Sequence, residues 1–189
     1  PQKTWTAGSA SVQDREAQPT KFVTTQMVMA VAENTATNRT YVTHHYDGAQ
    51  WNSMEAADAE LLYNNTTSIT DAFRAEIWLP DGFNASLASG LMQYFVGVAS
   101  FTAAEGDVYL VAGAAVPGPS PAFDLNIGGP GTDTHVTGLD GEGGVTTASI
   151  LASGWSSLAP NIPLVLSSQN GGATWTANAK RPTGGASIY

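Results

Sequence analysis

Hydrophobic and β-branched residues recur along this chain in short runs that are separated by glycine, proline and asparagine. The runs Phe22–Ala32 and Asn38–Tyr46 are both rich in β-branched and aromatic residues. The polar stretch Asn34–Asn38 that joins them is typical of a turn. We therefore expect the two runs to pair as a β-hairpin.

The same pattern continues to the end of the chain. Longer runs cover residues 73–79, 91–101 and 107–116, shorter ones cover residues 122–127, 135–138, 145–152, 162–168 and 173–177, and turn residues such as Pro80–Gly82 and Glu105–Asp107 lie between them. Short strands at fairly regular spacing favour a sandwich or barrel over repeated βαβ units. We predict an all-β fold of about eight to ten strands, the size of a single jelly roll.

Two segments depart from the strand pattern. Asn52 can cap the amide three residues on and Glu55 can reach back to it, an asparagine version of the capping box. This pattern predicts one short helix over Asn52–Tyr63. Residues 1–20 are polar with no sustained period, so we predict an extended N-terminal arm there and one jelly-roll domain over residues 21–189.

The composition argues against several classes of function. The chain has 189 residues, 42% of them hydrophobic, which suits one core. Seven basic residues stand against 16 acidic ones, for a net charge of -9, which argues against direct nucleic-acid binding. The absence of cysteine excludes disulfides, cysteine-ligated zinc and thiol nucleophiles. No run approaches the ~18 apolar residues of a membrane span, so we expect a soluble domain.

Histidine is the first candidate for metal or base chemistry, and there are three. His44 and His45 are adjacent on a predicted strand, so their side chains point to opposite faces and cannot both bind one ion without a bulge. His135 could join one of them in space, but no regular ligand spacing supports a metal site. We expect two surface or half-buried strand histidines and one loop histidine.

Carboxylates are the next candidates for catalytic or metal-binding residues. Asp71 with Glu76 and Asp58 with Glu60 resemble glycosidase pairs, but sixteen acids give such pairs by chance. Asp140 and Glu142 lie in a glycine-rich stretch that could hold Ca²⁺, although a plain turn fits better because the further oxygens of an EF-hand loop are missing. Neither a phosphate-binding loop nor a nucleophile elbow occurs. We therefore predict no catalytic, cofactor-binding or metal-binding residues and no cofactor.

One local match has a recognisable pattern. Ser168–Trp175 resembles the Asp-box of sialidase-like propellers, with Asn170 in the aspartate position. In that motif the polar side chain braces a hairpin turn and the tryptophan packs beneath it, so the role is structural. We predict a tight turn between strands 162–168 and 173–177.

Tryptophans and sequons motivate an alternative function. Trp5, Trp51, Trp78, Trp155 and Trp175 could form a carbohydrate platform, although Trp78 and Trp175 lie inside strand patterns and are more typical of a core. The N-glycosylation sequons lie at Asn38, Asn64, Asn65 and Asn84. Together with the Asp-box-like turn they suggest a secreted carbohydrate-binding or adhesin-like β-sandwich, which an exposed Trp51 or Trp155 beside loop carboxylates would favour.

The leading hypothesis is a protein whose function is contact with other proteins. Alanine, threonine, serine and glycine are abundant, and small side chains lose little entropy when flat surfaces meet. An arm that carries Trp5 could lie across a neighbouring subunit. The acidic, lysine-poor composition indicates a salty habitat, where screening over ~3 Å at about 1 M salt suppresses self-repulsion.

The Pro1–Trp5 start, the composition, the length and the single-barrel pattern over roughly residues 22–178 resemble the small major capsid protein of tailless, internal-membrane icosahedral viruses of haloarchaea. This resemblance implies an upright single jelly roll in the capsid shell of the virion. It implies association with copies of itself and a larger sister protein in pseudo-hexameric capsomers, near a membrane that it does not span. Minor capsid and spike proteins are further candidate partners, and no catalytic or cofactor residue comes with the family.

A third hypothesis is a metal-dependent or glycan-active barrel enzyme. It requires His135 to meet His44 or His45 beside a carboxylate in a pocket, because zinc–nitrogen bonds are only ~2 Å long.

Overall fold

A computed structural model describes residues 15–16, 27–34, 36–46, 59–83, 93–102, 105–112, 122–128, 134–156 and 162–178. Over these residues the chain is all-β, as predicted, and contains no helix. The strands are β1 (Arg15–Glu16), β2 (Met27–Asn34), β3 (Arg39–Tyr46), β4 (Ala59–Glu60), β5 (Leu62–Tyr63), β6 (Thr67–Ser68), β7 (Ala72–Trp78), β8 (Gln93–Ser100), β9 (Val108–Ala112), β10 (Ala122–Asp124), β11 (Thr134–Glu142), β12 (Ser149–Ser156), β13 (Ile162–Ser168) and β14 (Thr176–Ala177). They form several antiparallel sheets.

The first sheet has the order β1-β2-β3-β4 and contains the predicted hairpin. β2 and β3 pair along their whole length, with Val31 opposite Val42, both buried. Asn38 has a φ of 51°, which asparagine tolerates better than most residues, so it suits the turn. Residues 22–26 of the predicted run lie outside the described part. So does the predicted arm, except for Arg15–Glu16, which pairs with β2.

The predicted helix over Asn52–Tyr63 is wrong in its second half, because residues 59–63 form strands β4 and β5; residues 52–58 lie outside the described part. Leu61, between these strands, is fully buried. Its main-chain N donates to Thr40 O and its carbonyl accepts from Ile69 N. Pairing with distant segments thus takes the backbone groups that a helix would use, and tertiary contacts outweigh the local capping pattern.

The middle sheet has the order β10-β9-β8-β7. Its strands β7, β8 and β9 coincide largely with the runs at residues 73–79, 91–101 and 107–116 that predicted strands. β8 is buried on both faces, which is why its sequence is almost continuously apolar. Tyr94, Val96 and Val98 pack in one hydrophobic core with residues of β2, β3 and β7. Phe95 packs in a second core with residues of β11, β12 and β13.

The third sheet has the order β11-β12-β13-β14, and β11 packs against β7 and β8. Glycine permits this close approach, because a Cβ on Gly97 would come within 2.5 Å of Val136 Cγ1. β11 is longer than predicted, since Leu139 turns into the core while Asp140 and Glu142 alternate with it on the exposed side. β12 begins at Ser149 rather than residue 145, because a turn from Gly144 to Thr147 precedes it.

Candidate functional site

Three buried carboxyl groups lie around the start of β9 and the end of β10. Glu105 and Asp107 lie just before β9, and Asp124 is the last residue of β10. All three side chains are buried, Asp107 to the extent that only 2% of it is exposed. Buried carboxyl groups are uncommon unless they are hydrogen-bonded or paired, so this cluster is the most unusual chemistry of the described residues.

Asp124 fastens the β5–β6 turn to the middle sheet. Its Oδ2 accepts a hydrogen bond from Asn64 N at 2.6 Å, and its own main-chain N donates to Asn65 Oδ1 at 2.9 Å. Its Oδ1 accepts from Asn126 N at 2.9 Å. Asn64, Asn65 and Asn126 all have left-handed φ values, which asparagine tolerates better than most residues. Asp124 therefore fixes two tight turns at once.

Asp107 fixes the neighbouring turn in the same way. Its Oδ1 accepts from Val108 N at 2.6 Å and from Ile127 N at 3.1 Å. A further hydrogen bond joins the Asp107 and Asp124 side chains. Burial first, and then the negative charge of Asp124, raise the pKa of Asp107 to about 8, although the two main-chain hydrogen bonds oppose this. The buried pair therefore retains a proton to higher pH than an ordinary aspartate does.

Glu105 holds the end of β8 against the segment before β7. Its carboxylate accepts hydrogen bonds from Thr70 N at 2.6 Å and from the hydroxyls of Thr70 and Ser100. Its carbonyl accepts from Tyr109 OH at 3.1 Å. Burial raises the pKa of Glu105, and burial followed by the charges of Asp124 and Asp107 raises the pKa of Tyr109 well above its ordinary value.

The carboxyl groups of this cluster fasten turns and strand ends through hydrogen bonds. Each carboxyl group is occupied by hydrogen bonds from main-chain N–H groups or hydroxyls of the same chain. No group of three histidine, aspartate or glutamate side chains within reach of one metal ion occurs among the described residues. In the same part of the chain, Thr134 Oγ1 is a buried hydroxyl oxygen without a hydrogen-bond partner. The sequence had suggested only a turn at Glu105–Asp107.

A second feature is a ladder of aromatic rings that leads from the interior to the surface. His135 stacks on Trp155 with ring centroids 4.9 Å apart, Trp155 stacks on Phe73 at 5.9 Å, and Phe73 meets Phe101 at 4.4 Å. We call these four residues the ring ladder. Phe101, at its outer end, is 79% exposed, the largest exposure among the large hydrophobic residues described. The ladder connects the middle sheet to the third sheet, since Trp155 lies on β12 and Phe73 on β7.

A carboxylate lies beside the outer end of the ladder. Asp71, with a left-handed φ of 54°, accepts a hydrogen bond from Phe101 N through its carbonyl at 3.1 Å. Its Oδ2 accepts from Thr102 Oγ1 at 3.5 Å. The exposed ring of Phe101 is therefore flanked by an exposed carboxylate and a hydroxyl.

The candidate histidines are placed differently from our expectation. His135 is buried in β11 rather than in a loop, and its Nδ1 accepts from Ser100 N at 3.4 Å. It therefore packs as a core residue between Trp155 and β8. His44 and His45 lie on β3, opposite Met29 and Val28, and their side chains are outside the described part.

The remaining candidate carboxylates make contacts of their own. Asp140 and Glu142 lie on β11 rather than in a loop, both exposed, and Asp140 Oδ1 accepts from its neighbour Gly141 N. Glu76 pairs with Arg74 at 3.0 Å. Glu60 pairs with Arg39 and accepts from Ser68, while Asp58 lies outside the described residues.

The Asp-box-like segment forms the predicted turn between β13 and β14, although β14 begins at Thr176 rather than at residue 173. Asn170 Oδ1 accepts from Thr174 N at 2.9 Å and from Ser168 Oγ at 2.9 Å, so it braces the turn as aspartate would. Trp175 Nε1 donates to Gly172 O at 2.9 Å, and its ring packs against the second core. Gly171 and Gly172 both have left-handed φ values. The motif is therefore structural.

The remaining tryptophans and sequons divide as follows. Trp78 is buried in the second core, as predicted. Trp155 is half-buried within the ring ladder, while Trp5, Trp51 and the sequon at Asn84 lie outside the described part. The sequons at Asn38, Asn64 and Asn65 all fall in exposed turns with left-handed φ values.

Comparisons with known proteins identify no family for this chain. No family model matches the chain, and neither a curated protein nor a solved structure shows significant similarity to it. Among the described residues there is no helix long and apolar enough to cross a membrane. The described residues thus define an all-β protein of several antiparallel sheets, with a buried carboxyl cluster and a ring ladder that ends at the exposed Phe101.

Proposed function

We propose that this chain is a structural protein of a virion, a major capsid protein that forms capsomers with copies of itself and with a larger sister capsid protein, without catalysis. In this proposal the β-sheets belong to a single jelly roll that stands in the capsid shell. Minor capsid or spike proteins would be further contacts. Nucleic acid would not be bound directly, and an internal membrane would lie nearby without being spanned.

The observation that carries the proposal is a pair of adjacent strands without charged residues on an acidic protein. β12 and β13 contain no charged residue, although the whole chain has a net charge of -9. The exposed side of β12 carries Ser149, Leu151 and Ser153, and Leu151 is 50% exposed. Small and apolar side chains in such a position lose little entropy and little hydration when a neighbouring subunit covers them.

The test is the mass of the purified protein, measured by sedimentation or light scattering at about 0.1 M and at several molar salt, where charge repulsion is screened. The protein is measured alone and mixed with candidate sister proteins. Reversible, salt-dependent growth into defined oligomers or sheets, seen also by electron microscopy, is the expected result. A protein that stays monomeric at both salt concentrations and with every candidate partner would refute the proposal.

The second candidate is a secreted carbohydrate-binding or adhesin-like module. The observation that favours it is the ring ladder, because the exposed ring of Phe101 lies beside the Asp71 carboxylate and the Thr102 hydroxyl. A flat apolar face next to hydrogen-bonding groups suits the alternating apolar and polar faces of a sugar. A glycan array with the monomer, followed by titration of any hit against Phe101→Ser, distinguishes this candidate from the capsid protein.

A further inference from the structure

The turn between β13 and β14 contains the only asparagine–glycine pair of the chain, Asn170–Gly171. Asparagine is a thermally labile residue, and it is most labile before glycine, because no side chain crowds the main-chain N that follows. That N can attack Cγ of the asparagine and form a cyclic imide. The new bond joins Gly171 N to Cγ, the Cγ–Nδ2 bond breaks, and ammonia leaves with the amide proton. Water then opens the imide at either carbonyl and gives aspartate or isoaspartate.

The turn itself requires the glycine that makes this pair labile. Gly171 has a left-handed φ of 65°, which most residues avoid. A Cβ at this position would also overlap the carbonyl oxygen of Val145. A larger residue therefore cannot take the place of Gly171 without rearrangement, and any restraint on the reaction has to come from the surrounding hydrogen bonds.

The attacking nitrogen is held by one of these hydrogen bonds. Gly171 N donates to Ala148 O at 3.0 Å, and Ala148 is fully buried. The nitrogen must lose its proton before it can attack Cγ. A proton that is hydrogen-bonded to a buried carbonyl is removed only when that bond opens, as in hydrogen exchange.

The side chain under attack is held as well. Asn170 Oδ1 accepts from Thr174 N and Ser168 Oγ, and its Nδ2 donates to Thr174 Oγ1, all at 2.9 Å. Attack makes Cγ tetrahedral, which displaces Oδ1 and Nδ2 from these partners. Ser168 Oγ also accepts from the main-chain N of Asn170 and of Gly172, so the same hydroxyl fixes the backbone on both sides of Gly171.

We propose that Asn170 is a deamidation site that is closed in the folded protein and reacts only when the β13–β14 turn opens. Conversion of this residue then records how often the turn has opened during the life of the chain. The inference does not depend on the proposed function, because it concerns a single chain and its own main-chain nitrogen.

The two products should differ in their fit to the turn. Aspartate can accept from Thr174 N and Ser168 Oγ as Asn170 Oδ1 does. Isoaspartate adds a carbon to the main chain, which displaces Gly171 N from Ala148 O. We therefore expect the aspartate form to keep the turn and the isoaspartate form to lose it.

The experiment compares the full chain in its folded state and in urea, at the same temperature and the same mildly alkaline pH. Peptide mass mapping follows the replacement of the Asn170 amide by a carboxyl group, with Asn170→Asp as the standard for the aspartate product. We expect conversion at least tenfold slower in the folded chain, because it has to wait for a local opening. Equal rates in the two states would overturn the proposal.

Two variants test whether the turn is the cause. Ser168→Ala removes the hydroxyl that contacts Asn170 and Gly172, and Thr174→Val removes the acceptor of Asn170 Nδ2. In the folded state we expect about tenfold faster conversion in Ser168→Ala and about twofold to fivefold in Thr174→Val, in proportion to the hydrogen bonds lost. Gln169→Ala is the matched control, since this residue is exposed and outside these hydrogen bonds. All variants should convert at the wild-type rate in urea, and a wild-type rate in folded Ser168→Ala and Thr174→Val would overturn the proposal.

Hydrogen exchange gives an independent measurement of the same opening. The Gly171 amide, followed by NMR, should exchange faster in Ser168→Ala by the same factor as deamidation, because both reactions pass through the open turn. Faster deamidation without faster exchange would contradict this route. Aged folded chains are then separated by ion exchange and melted. The aspartate form should melt with Asn170→Asp, and the isoaspartate form about 2–4 °C lower for each kcal/mol lost; equal melting of both forms would refute the expected difference between the products.

Discussion

Replacement of Asp107 by asparagine should make the stability of this protein much less dependent on pH below about pH 8. In the folded protein, burial raises the pKa of Asp107 to about 8, whereas the ordinary value is 3.8. Between these values the folded state therefore binds a proton that the unfolded chain lacks. Stability is greatest below the lower value and is lost as the pH rises, until the loss is complete above about pH 8.

The size of the effect follows from this difference in bound protons. A full proton difference changes the free energy of unfolding by about 1.4 kcal/mol per pH unit, so the wild type should lose about 4 kcal/mol between pH 5 and pH 8 through this residue. Asparagine keeps an oxygen to accept from Val108 N and Ile127 N, and its amide can donate to Asp124 without ionising. The stability of the variant relative to the wild type should therefore rise by this amount over the same interval.

Urea unfolding followed by tryptophan fluorescence at unit steps from pH 5 to pH 9 measures the difference. Comparing variant with wild type cancels the other titrating groups, including Glu105, whose pKa is also raised by burial. Asp140→Asn is the control, because its side chain is exposed on β11. The prediction is refuted if the difference in unfolding free energy from the wild type does not change with pH for either Asp107→Asn or Asp140→Asn. Asp107 would then be ionised in the folded protein over the whole range.

Two further predictions concern packing and the β13–β14 turn. Gly97→Ala should lower the free energy of unfolding by about 1–3 kcal/mol, since the added methyl would overlap Val136; thermal melting checks this, and an unchanged melting temperature would show that β11 can move away. Asn170→Ala should cost about 1–2 kcal/mol through loss of the acceptor for Thr174 N, whereas Asn170→Asp should be nearly neutral; equal losses in both variants would contradict the bracing role.

The sequence predicts the strands of this protein far better than its buried polar groups. The hairpin of β2 and β3, the run of β8 and the turn braced by Asn170 all follow from local patterns, and local contacts stabilise them. The predicted helix over residues 52–63 fails in its second half because Leu61 pairs with Thr40 and Ile69, which lie at positions that no local pattern specifies. Long-range pairing of this kind is invisible to a capping rule.

The buried carboxyl cluster was missed for a related reason. Glu105 and Asp107 flank a glycine, so the segment has the composition of an exposed turn. Their hydrogen bonds come from residues far away in the chain, since Thr70 N donates to Glu105 and Ile127 N donates to Asp107. The sequence did contain one indication of this burial. Glu105, Asp107 and Tyr109 follow the two-residue period of side chains on one face of a strand.

The buried acids also change what the acidic composition means. Three of the sixteen acidic residues are buried and hydrogen-bonded within the chain, so they do not contribute an acidic surface. Burial also raises the pKa of Asp107 to about 8, so the formal charge of -9 overstates the negative charge of the folded protein at neutral pH. The acid count therefore overstates the repulsion between copies, and part of the composition that suggested a salty habitat serves to fasten turns instead. Contact between copies would consequently need less salt than the composition alone suggests.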